Sequence, residues 1–314
     1  MSVTQYLAKK FNVPADFIER SIRMAPRAYK EFYIDKKGSN EKRAVHQPSR
    51  KIKALQRVII NDFLNRLPVH DAVFSYREGI SIFDNASVHR GCRYLLRLDF
   101  VKFFESIKKK DIYLFLLENR GVFPEDFSDG DIELISHLAS FYDDVAGGYR
   151  LVIGSPMSPV ISNSILYGHD SAISDYCARV GVRYSRYADD LFFSANEKNL
   201  LGAIPRIVAR VLGDFRAPVL TINEQKTIHT SKKHSMRVTG IVLASDGSIS
   251  IGRDRKREIK ALLHRLSMGE LPAEVKPYLT GLLAYVNSIE PEFLQRLEVK
   301  YGAELLIKAR SCQG

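Results

Sequence analysis

Apolar and polar residues recur along this chain with two periods, and each period predicts a different kind of element. In the segment 51–67 the apolar residues follow helical spacing and predict one amphipathic helix; they are Ile52, Leu55, Ile59, Phe63 and Leu67. Further helices are predicted from Pro14 onward, across 111–119 and after Ser158.

Short apolar runs in the middle of the chain predict strands. YLLRLDF begins at Tyr94 and ends next to an acid, while VRYSRY and LFFSA flank Ala188, Asp189 and Asp190 and predict a hairpin. Nearer the N-terminus, FYIDKKG and KRAVHQPS predict a strand pair that turns near residues 38–40. Strands mixed with helices around a central hairpin indicate an α+β fold.

The segment 253–266 predicts a helix with an apolar stripe and a basic remainder, which includes Arg255, Lys256 and Lys260. Over the whole chain, Lys and Arg total 47 against 36 acidic residues, a formal charge of +11. A surplus of this size favours a polyanionic partner, because neutralising phosphates releases counterions. A solvated helix face is the alternative explanation if the segment stands by itself.

Cysteine content and hydropathy indicate a soluble protein of the cytoplasm that does not enter a membrane. The spacing of Cys92, Cys177 and Cys312 matches neither a zinc motif nor a disulfide framework. The N-terminus lacks the apolar stretch of a signal peptide, and no apolar run reaches the roughly 18 residues of a membrane span.

Three acids occur where phosphate chemistry could use them. Asp99 ends an apolar strand, and Asp189 and Asp190 lie at the tip of the predicted hairpin. Acids at strand ends and turns are common, so neither position is informative by itself. Brought together, two carboxylates 4 Å apart repel by about 4 kcal/mol at an effective dielectric constant near 20. A fold that collects them therefore indicates a compensating cation, and magnesium prefers such oxygen ligands.

LDFVKFF, SPMSP and YADD, in this order, resemble motifs A, B and C of reverse transcriptases. The resemblance implies an RNA-directed DNA polymerase in which Asp99 and Asp189 bind two Mg²⁺ ions and Asp190 assists, with Mn²⁺ as a possible substitute. It also implies a right-hand fold. We expect the N-terminal part of the fingers in 1–90, a palm with an inserted fingers segment in 91–250, and a small helical thumb in 251–314.

The same resemblance assigns the binding of the incoming deoxynucleotide (dNTP). Phe104 matches the aromatic residue that lies under the sugar, Arg43 an arginine that holds the triphosphate, and Lys226 a possible proton donor to pyrophosphate. Gly154 suits a tight backbone turn beside the nucleotide. Motif B departs from the family pattern, because Ile153 stands where a Gln is usual, which puts dNTP affinity and fidelity in doubt.

Two further segments resemble hallmarks of retron reverse transcriptases. Asn85 and His89 fit the pattern NAxxH, and Val238, Thr239 and Gly240 fit VTG. The resemblance implies RNA binding by these five residues. We add Arg255, Lys256 and Lys260 of the basic segment, because recognition of one RNA needs a second surface that reads its shape or unpaired bases.

The retron resemblance also implies partners. A cognate structured non-coding RNA would serve as template and primer, with synthesis starting from the 2′-hydroxyl of a guanosine. The product would be branched, RNA-linked single-stranded DNA, and a separate effector protein would act with the enzyme in anti-phage defence.

Two rival functions stay open on the sequence. One is another bacterial reverse transcriptase, such as a group II-like enzyme; the other is a non-catalytic RNA-binding scaffold that restrains an effector. Other acidic segments, FSDGDIE (127–133) and the pair at 143–144, are interpreted as solvated loops. His46, His70 and His89 lack the ligand spacing of a zinc site.

Overall fold

A computed structural model of the protein describes residues 1–35 and 41–311. Within these ranges, helices surround small antiparallel sheets, which confirms the predicted α+β class. The turn predicted near residues 38–40 lies outside the described residues. Among the helices described, none has the length and apolar character that crossing a membrane requires.

The N-terminal region combines helices with a two-stranded sheet. Its elements are α1 (Val3–Phe11), α2 (Ala15–Met24), β1 (Tyr29–Asp35), β2 (Lys42–Pro48) and α3 (Arg50–Asp62). Pro14 lies at the N-cap of α2, as the sequence predicts. The helix predicted over 51–67 ends earlier, because Phe63 leaves the helical region at φ −131° and Leu64–Arg66 form a 3-10 turn. Its five predicted apolar positions are nevertheless buried.

The central sheet has the strand order β6–β7–β3–β8, and each neighbouring pair is antiparallel. Its strands are β3 (Tyr94–Asp99), β6 (Arg183–Tyr187), β7 (Asp190–Ala195) and β8 (Ile228–Ser231). The predicted strands and hairpin are confirmed. Leu96 and Leu98 of β3 pack into one core, and Leu95 packs into another. Because both faces of the sheet are covered, these strands read as continuous apolar runs.

The first core lies between the sheet and the helices of the N-terminal and middle regions. The further elements of this part are α5 (Phe103–Ser106), α6 (Lys109–Glu118), α7 (Asp129–Ala139), β4 (Phe141–Asp143), β5 (Gly148–Arg150), α8 (Met157–Ile165), α9 (Tyr167–Arg179) and α10 (Ile204–Asp214). The helices predicted across 111–119 and after Ser158 are therefore confirmed, with ends shifted by a residue or two.

The prediction that 127–133 is a solvated loop is wrong, because the segment forms the capped start of α7. Ser128 is the N-cap, and Asp131 completes a capping box with it. The side chain of Asp131 also accepts a hydrogen bond from the backbone N–H of Val3 at 2.8 Å, and the residue is buried.

The acidic pair at 143–144 is only half solvated. Asp144 is exposed and pairs with Arg27 at 3.0 Å. Asp143 is instead the last residue of β4; its side chain is mostly buried and forms an ion pair with Arg150. For Asp143 the predicted loop is therefore wrong, because hairpin pairing and a nearby guanidinium hold it.

The second core lies under the C-terminal part of the chain. Its elements are α4 (Ile82–Val88), β9 (Met236–Val238), β10 (Ile241–Leu243), β11 (Ile249–Ser250), α11 (Arg253–Ser267), α12 (Lys276–Ile289), α13 (Pro291–Tyr301) and α14 (Ala303–Arg310). Helix α4 contacts β6 of the central sheet as well as β9 and β10. The amphipathic helix predicted over 253–266 is confirmed as α11, with Ile259, Leu263 and Leu266 buried.

Candidate active site

Asp99, Asp189 and Asp190 lie together at one edge of the central sheet. Asp99 ends β3, and its register partner on β7 is Asp190. The carbonyl of Asp189 accepts a hydrogen bond from the backbone N–H of Phe100 at 3.1 Å. Ala188 adopts the left-handed conformation at φ +56°, which allows the chain to reverse within two residues between β6 and β7. The structure thus brings together the acids that the sequence singles out.

The surroundings of Asp189 and Asp190 oppose their negative charge. Burial raises the pKa of Asp189, and the neighbouring Asp99 carboxylate raises it further. Burial likewise raises the pKa of Asp190 to about 6, with Arg97 acting against the shift and the other two acids adding to it. Clustered acids with raised pKa values are typical of functional sites that take up positive charge.

Two basic side chains approach the acids. The ammonium group of Lys226 donates to both carboxylate oxygens of Asp99, at 3.0 and 3.2 Å. Nε of Arg97 lies 3.1 Å from Oδ1 of Asp190, but the pair is not aligned as a hydrogen bond. Within the described part of the chain, Oδ1 of Asp190 is therefore buried without a hydrogen-bond partner, although 25% of the side chain remains exposed.

This donor set fits a divalent cation. Magnesium is held in proteins by one or two carboxylates together with substrate phosphates. Asp99, Asp189 and Asp190 supply carboxylate oxygens, and one of these oxygens is buried without a partner in the described chain. Across residues 1–35 and 41–311, no three His, Cys, Asp or Glu side chains already form a metal-binding group. Substrate phosphates would complete the coordination of a magnesium ion held by these carboxylates.

Gly154 lets the motif B loop approach β2. Its φ is +105°, and a Cβ atom at this position would lie 2.6 Å from the carbonyl oxygen of His46. The adjacent carbonyl of Ile153 accepts a hydrogen bond from the backbone N–H of His46 at 2.7 Å. Arg43, also on β2, is exposed, and its charge lowers the pKa of Asp189. The strand that carries Arg43 and the loop that carries Gly154 are therefore hydrogen-bonded to each other close to the acids.

Phe103 and Phe104 are adjacent on α5 but differ in burial. Phe103 is buried and stacks on Phe100 with ring centroids 5.6 Å apart, so it belongs to the core. Phe104 is half-buried and tilted against Phe103 at 5.2 Å. Part of the Phe104 ring thus remains accessible on α5, and its contact with the nucleotide sugar stays a prediction.

Tyr76 is a site residue that the sequence analysis missed. It has φ +56° and remains 52% exposed. Burial of its hydroxyl and the charge of Asp189 both raise its pKa, which places the side chain near the acids. Bulky residues at positive φ are rare and cluster at functional sites. A tyrosine in the polar segment SYREG gives no sequence signal of such strain.

Asn85 and His89 are enclosed by the protein in this conformation, and RNA binding by them stays a prediction. His89 hydrogen-bonds through Nδ1 to the hydroxyl of Ser194 at 2.7 Å and through Nε2 to that of Ser185 at 2.8 Å. The Ser185 hydroxyl donates to Oδ1 of Asn85 at 2.5 Å. Burial lowers the pKa of His89 to about 3. The NAxxH segment therefore attaches α4 to the central sheet.

The VTG segment forms the turn between β9 and β10. Val238 is fully buried in the second core, and RNA binding by it stays a prediction. Thr239 and Gly240 both have positive φ, at +48° and +86°. The hydroxyl of Thr239 lies 3.5 Å from the carbonyl oxygen of Ile82 in α4, and Gly240 is exposed. RNA contact by Thr239 and Gly240 stays a prediction.

The basic residues chosen on α11 differ in their surroundings. Arg255 donates to Glu258 at 2.7 Å, and Lys256 donates to the buried Glu290 at 2.6 Å. Lys260 is exposed, with its ammonium group 5.8 Å from the ring centre of Phe293. Arg255 and Lys256 are therefore neutralised by acids of the protein itself, whereas Lys260 remains exposed.

Comparisons with known proteins agree with this geometry. Residues 34–243 match the family model described as reverse transcriptase (RNA-dependent DNA polymerase). The retron Ec83 reverse transcriptase of Escherichia coli is 36% identical over 277 residues, covering 87% of each chain. The retron Ec73 enzyme, also of Escherichia coli, is 30% identical over 293 residues, covering 90% of this chain and 89% of its own.

A solved telomerase of Candida albicans, in complex with a TWJ fragment of telomeric RNA, superposes with a TM-score of 0.48 and 12% identity. The match covers 90% of this chain and 60% of the telomerase chain.

The family match and the acid cluster define a polymerase of the right-hand class. The chain belongs to the reverse transcriptase family and, within it, to the retron reverse transcriptases. It is thus an RNA-directed DNA polymerase that depends on a divalent metal cation and uses RNA as its template.

Proposed function

We propose that this protein copies one cognate, structured non-coding RNA into branched, RNA-linked single-stranded DNA. The observation that carries the proposal is the meeting of Asp99, Asp189 and Asp190 at one sheet edge, with raised pKa values at Asp189 and Asp190. The names of the curated relatives support the retron product.

Asp99 and Asp189 are the proposed ligands of two Mg²⁺ ions, and Asp190 assists them. When bound, the metal stabilises negative charge on the reacting phosphate and on the attacking and leaving oxygens. The orphaned Oδ1 of Asp190 supports this assignment. Lys226 reaches Asp99 while keeping 54% of its side chain exposed. It therefore borders the cleft, where we propose that it gives a proton to the departing pyrophosphate.

The proposed dNTP site lies between β2, the motif B loop and α5. Arg43 binds the triphosphate, since a guanidinium is always charged and binds phosphate bidentately. Gly154 leaves room for the nucleotide and the neighbouring strand, and Phe104 lies against the sugar and excludes a 2′-hydroxyl. Ile153 cannot offer the side-chain amide of the usual Gln, so the backbone of this loop supplies its polar contacts.

The wider role follows from the retron relatives. We propose that synthesis begins at a guanosine 2′-hydroxyl of the cognate RNA, and that the RNA–DNA product acts with a separate effector protein in anti-phage defence. A cytoplasmic location suits Cys92 and Cys177, which are free and buried, because reduced cysteines persist in a reducing compartment. We also propose the division into fingers (1–90), palm (91–250) and thumb (251–314).

The proposal is tested by incubating the purified protein with RNA transcribed from the DNA beside its gene, together with Mg²⁺ and dNTPs. We expect DNA that carries a ribonucleotide remnant after ribonuclease digestion and loses it to a debranching enzyme. Extension of unrelated primed RNA with equal efficiency would instead identify a general bacterial reverse transcriptase. Failure to incorporate dNTPs while the RNA is bound would identify the non-catalytic scaffold.

A further inference from the structure

The turn that carries Asp189 is held on its buried side by polar side chains. The backbone N–H of Ala188 donates to the hydroxyl of Ser75 at 2.8 Å. The carbonyl of Ala188 accepts from Nη1 of Arg186 at 3.3 Å. Because Ala188 is held at φ +56°, these bonds fix a backbone conformation that a residue with a side chain rarely adopts.

Arg186 is anchored in turn by a buried carboxylate. Its side chain is 1% exposed and makes a bidentate pair with Asp170 of α9, at 2.8 Å from Nε and 2.6 Å from Nη2. The hydroxyl of Tyr184 donates to the same carboxylate at 2.7 Å. Burying an ion pair costs desolvation free energy, so such a pair is weak evidence for stability. A role in holding the turn accounts for it better.

Asn163 connects this network to the motif B helix α8. Its Nδ2 donates to the carbonyl of Ser75 at 2.8 Å, and its own backbone carbonyl accepts from Nη2 of Arg186 at 3.3 Å. Ser75 directly precedes the strained Tyr76, whose side chain lies near Asp189. One buried network therefore joins the Asp189 turn, α8 and the Tyr76 segment.

We propose that this network consists of positioning residues for DNA synthesis, namely Ser75, Asn163, Asp170 and Arg186. They hold both backbone groups of Ala188, so that Asp189 points into the cleft before substrate arrives. They also fix the turn relative to α8 and to Tyr76, so the acid and the proposed nucleotide-binding parts keep one geometry. The inference rests on the proposed role of Asp189.

The test uses Ser75→Ala, which removes one hydroxyl from a buried position and leaves the N–H of Ala188 without it. Ser140→Ala is the matched control, because Ser140 is equally buried and its hydroxyl bonds to the carbonyl of Ser136 in α7. We expect kcat for dNTP incorporation to fall by about tenfold in Ser75→Ala, with RNA affinity unchanged. The control should lose no more than about twofold in kcat at a similar change in Tm.

Hydrogen exchange supplies a readout that does not depend on activity. Peptides containing Ala188 should exchange faster in Ser75→Ala than in the unmodified protein, and those in Ser140→Ala should not. Arg186→Lys keeps the charge but loses the bidentate geometry, and it should accelerate the same peptides if it folds.

Unchanged kcat together with unchanged exchange at Ala188 would overturn the proposal, as would equal losses in Ser75→Ala and Ser140→Ala. If the unmodified protein made no DNA, the proposed function would fail. The exchange comparison would still decide whether the network restrains the turn.

Discussion

The acids of the central sheet and the basic residues of α11 differ in how far neighbouring protein groups neutralise their charges. At the sheet edge, like charges lie together, and Oδ1 of Asp190 has no hydrogen-bond partner among the described residues. On α11, Arg255 pairs with Glu258 and Lys256 with Glu290. Lys226 and Arg97 reach Asp99 and Asp190, but the raised pKa values of Asp189 and Asp190 show that compensation is incomplete, which indicates where a cationic ligand binds. The charges that are paired on α11 serve the fold.

Glu290 shows what the pairing on α11 achieves. Besides Lys256, it accepts hydrogen bonds from the hydroxyl of Ser250, the backbone N–H of Ile251 and Arg296, at 3.0, 3.2 and 3.1 Å. One buried carboxylate thus joins β11, α11 and α13. A basic sequence segment can therefore be a structural joint, and we expect Lys260 and Gly240, which remain exposed, to contribute most to RNA selection.

Asp189→Asn tests the uncompensated side of this contrast and has the largest expected effect. The substitution keeps the shape of the side chain but removes a charge that we propose binds metal. DNA synthesis should slow by at least about a thousandfold, because several kcal/mol of transition-state stabilisation are lost. RNA affinity, measured by filter binding, should not change. Near-normal synthesis would refute the assignment of the site.

His89 provides the corresponding test for a polar group whose ring nitrogens both form hydrogen bonds within the protein. Its pKa is about 3 in the folded protein and about 6.5 when unfolded, so below pH 6.5 the unfolded state binds the extra proton. The stability contributed by neutral His89 is thus present above pH 6.5 and falls by up to about 1.4 kcal/mol per pH unit towards pH 3. Urea unfolding at pH 7 and pH 5 should show a steeper loss in the unmodified protein than in His89→Gln, by about 2 kcal/mol. Equal slopes would mean that His89 already carries a proton when folded.

Phe104→Ala asks whether the exposed part of that ring excludes ribonucleotides. Opening space at the 2′ position should raise the ratio of ribonucleotide to deoxynucleotide incorporation by about tenfold. Phe103→Ala is the control; it should cost about 3 kcal/mol of stability through a core cavity and leave the ratio unchanged. An unchanged ratio in Phe104→Ala would make Phe104 a packing residue.

The smallest effects are expected on α11, where the sequence treats Arg255, Lys256 and Lys260 as one group. Lys260→Ala should weaken binding of the cognate RNA stem-loop severalfold more than binding of unrelated RNA. It should also flatten the log–log salt dependence by about 0.7–0.9. Lys256→Ala should instead lower stability by about 1–2 kcal/mol, because Glu290 loses a buried partner.

The three residues can also be replaced together with Ala. We expect the cognate RNA to lose more affinity than the unrelated RNA. Equal losses for both RNAs in a titration across salt concentrations would remove recognition from this helix while leaving the polymerase assignment intact.

The sequence predicts those features of the site that depend on residues close together in the chain. Asp99, Asp189 and Asp190 could be found because each sits beside an apolar run that forms its own strand. The surroundings of His89 could not be found, because Ser185 and Ser194 are distant in sequence and meet it only after the sheet packs on α4. For the same reason the contact of Asp131 with Val3 stayed hidden, whereas the capping box of Asp131 with Ser128 is a local pattern that the sequence contains.

The sequence around Arg186 contains a signal for its buried ion pair. Arg186 stands between Ser185 and Tyr187 in the predicted strand VRYSRY, and a charge that a strand buries needs a partner. The partner, Asp170, lies on a different helix, so no local pattern could identify it.

Metal binding itself tests the central claim most directly. Mn²⁺ can be titrated into the protein with bound RNA and a dNTP, and free Mn²⁺ followed by electron paramagnetic resonance, for the unmodified chain and for Asp189→Asn. Mn²⁺ held by the nucleic acid is common to both titrations. The account predicts that the unmodified protein holds more Mn²⁺ than Asp189→Asn, with the difference approaching about two ions per chain. Equal binding by the two proteins would contradict it.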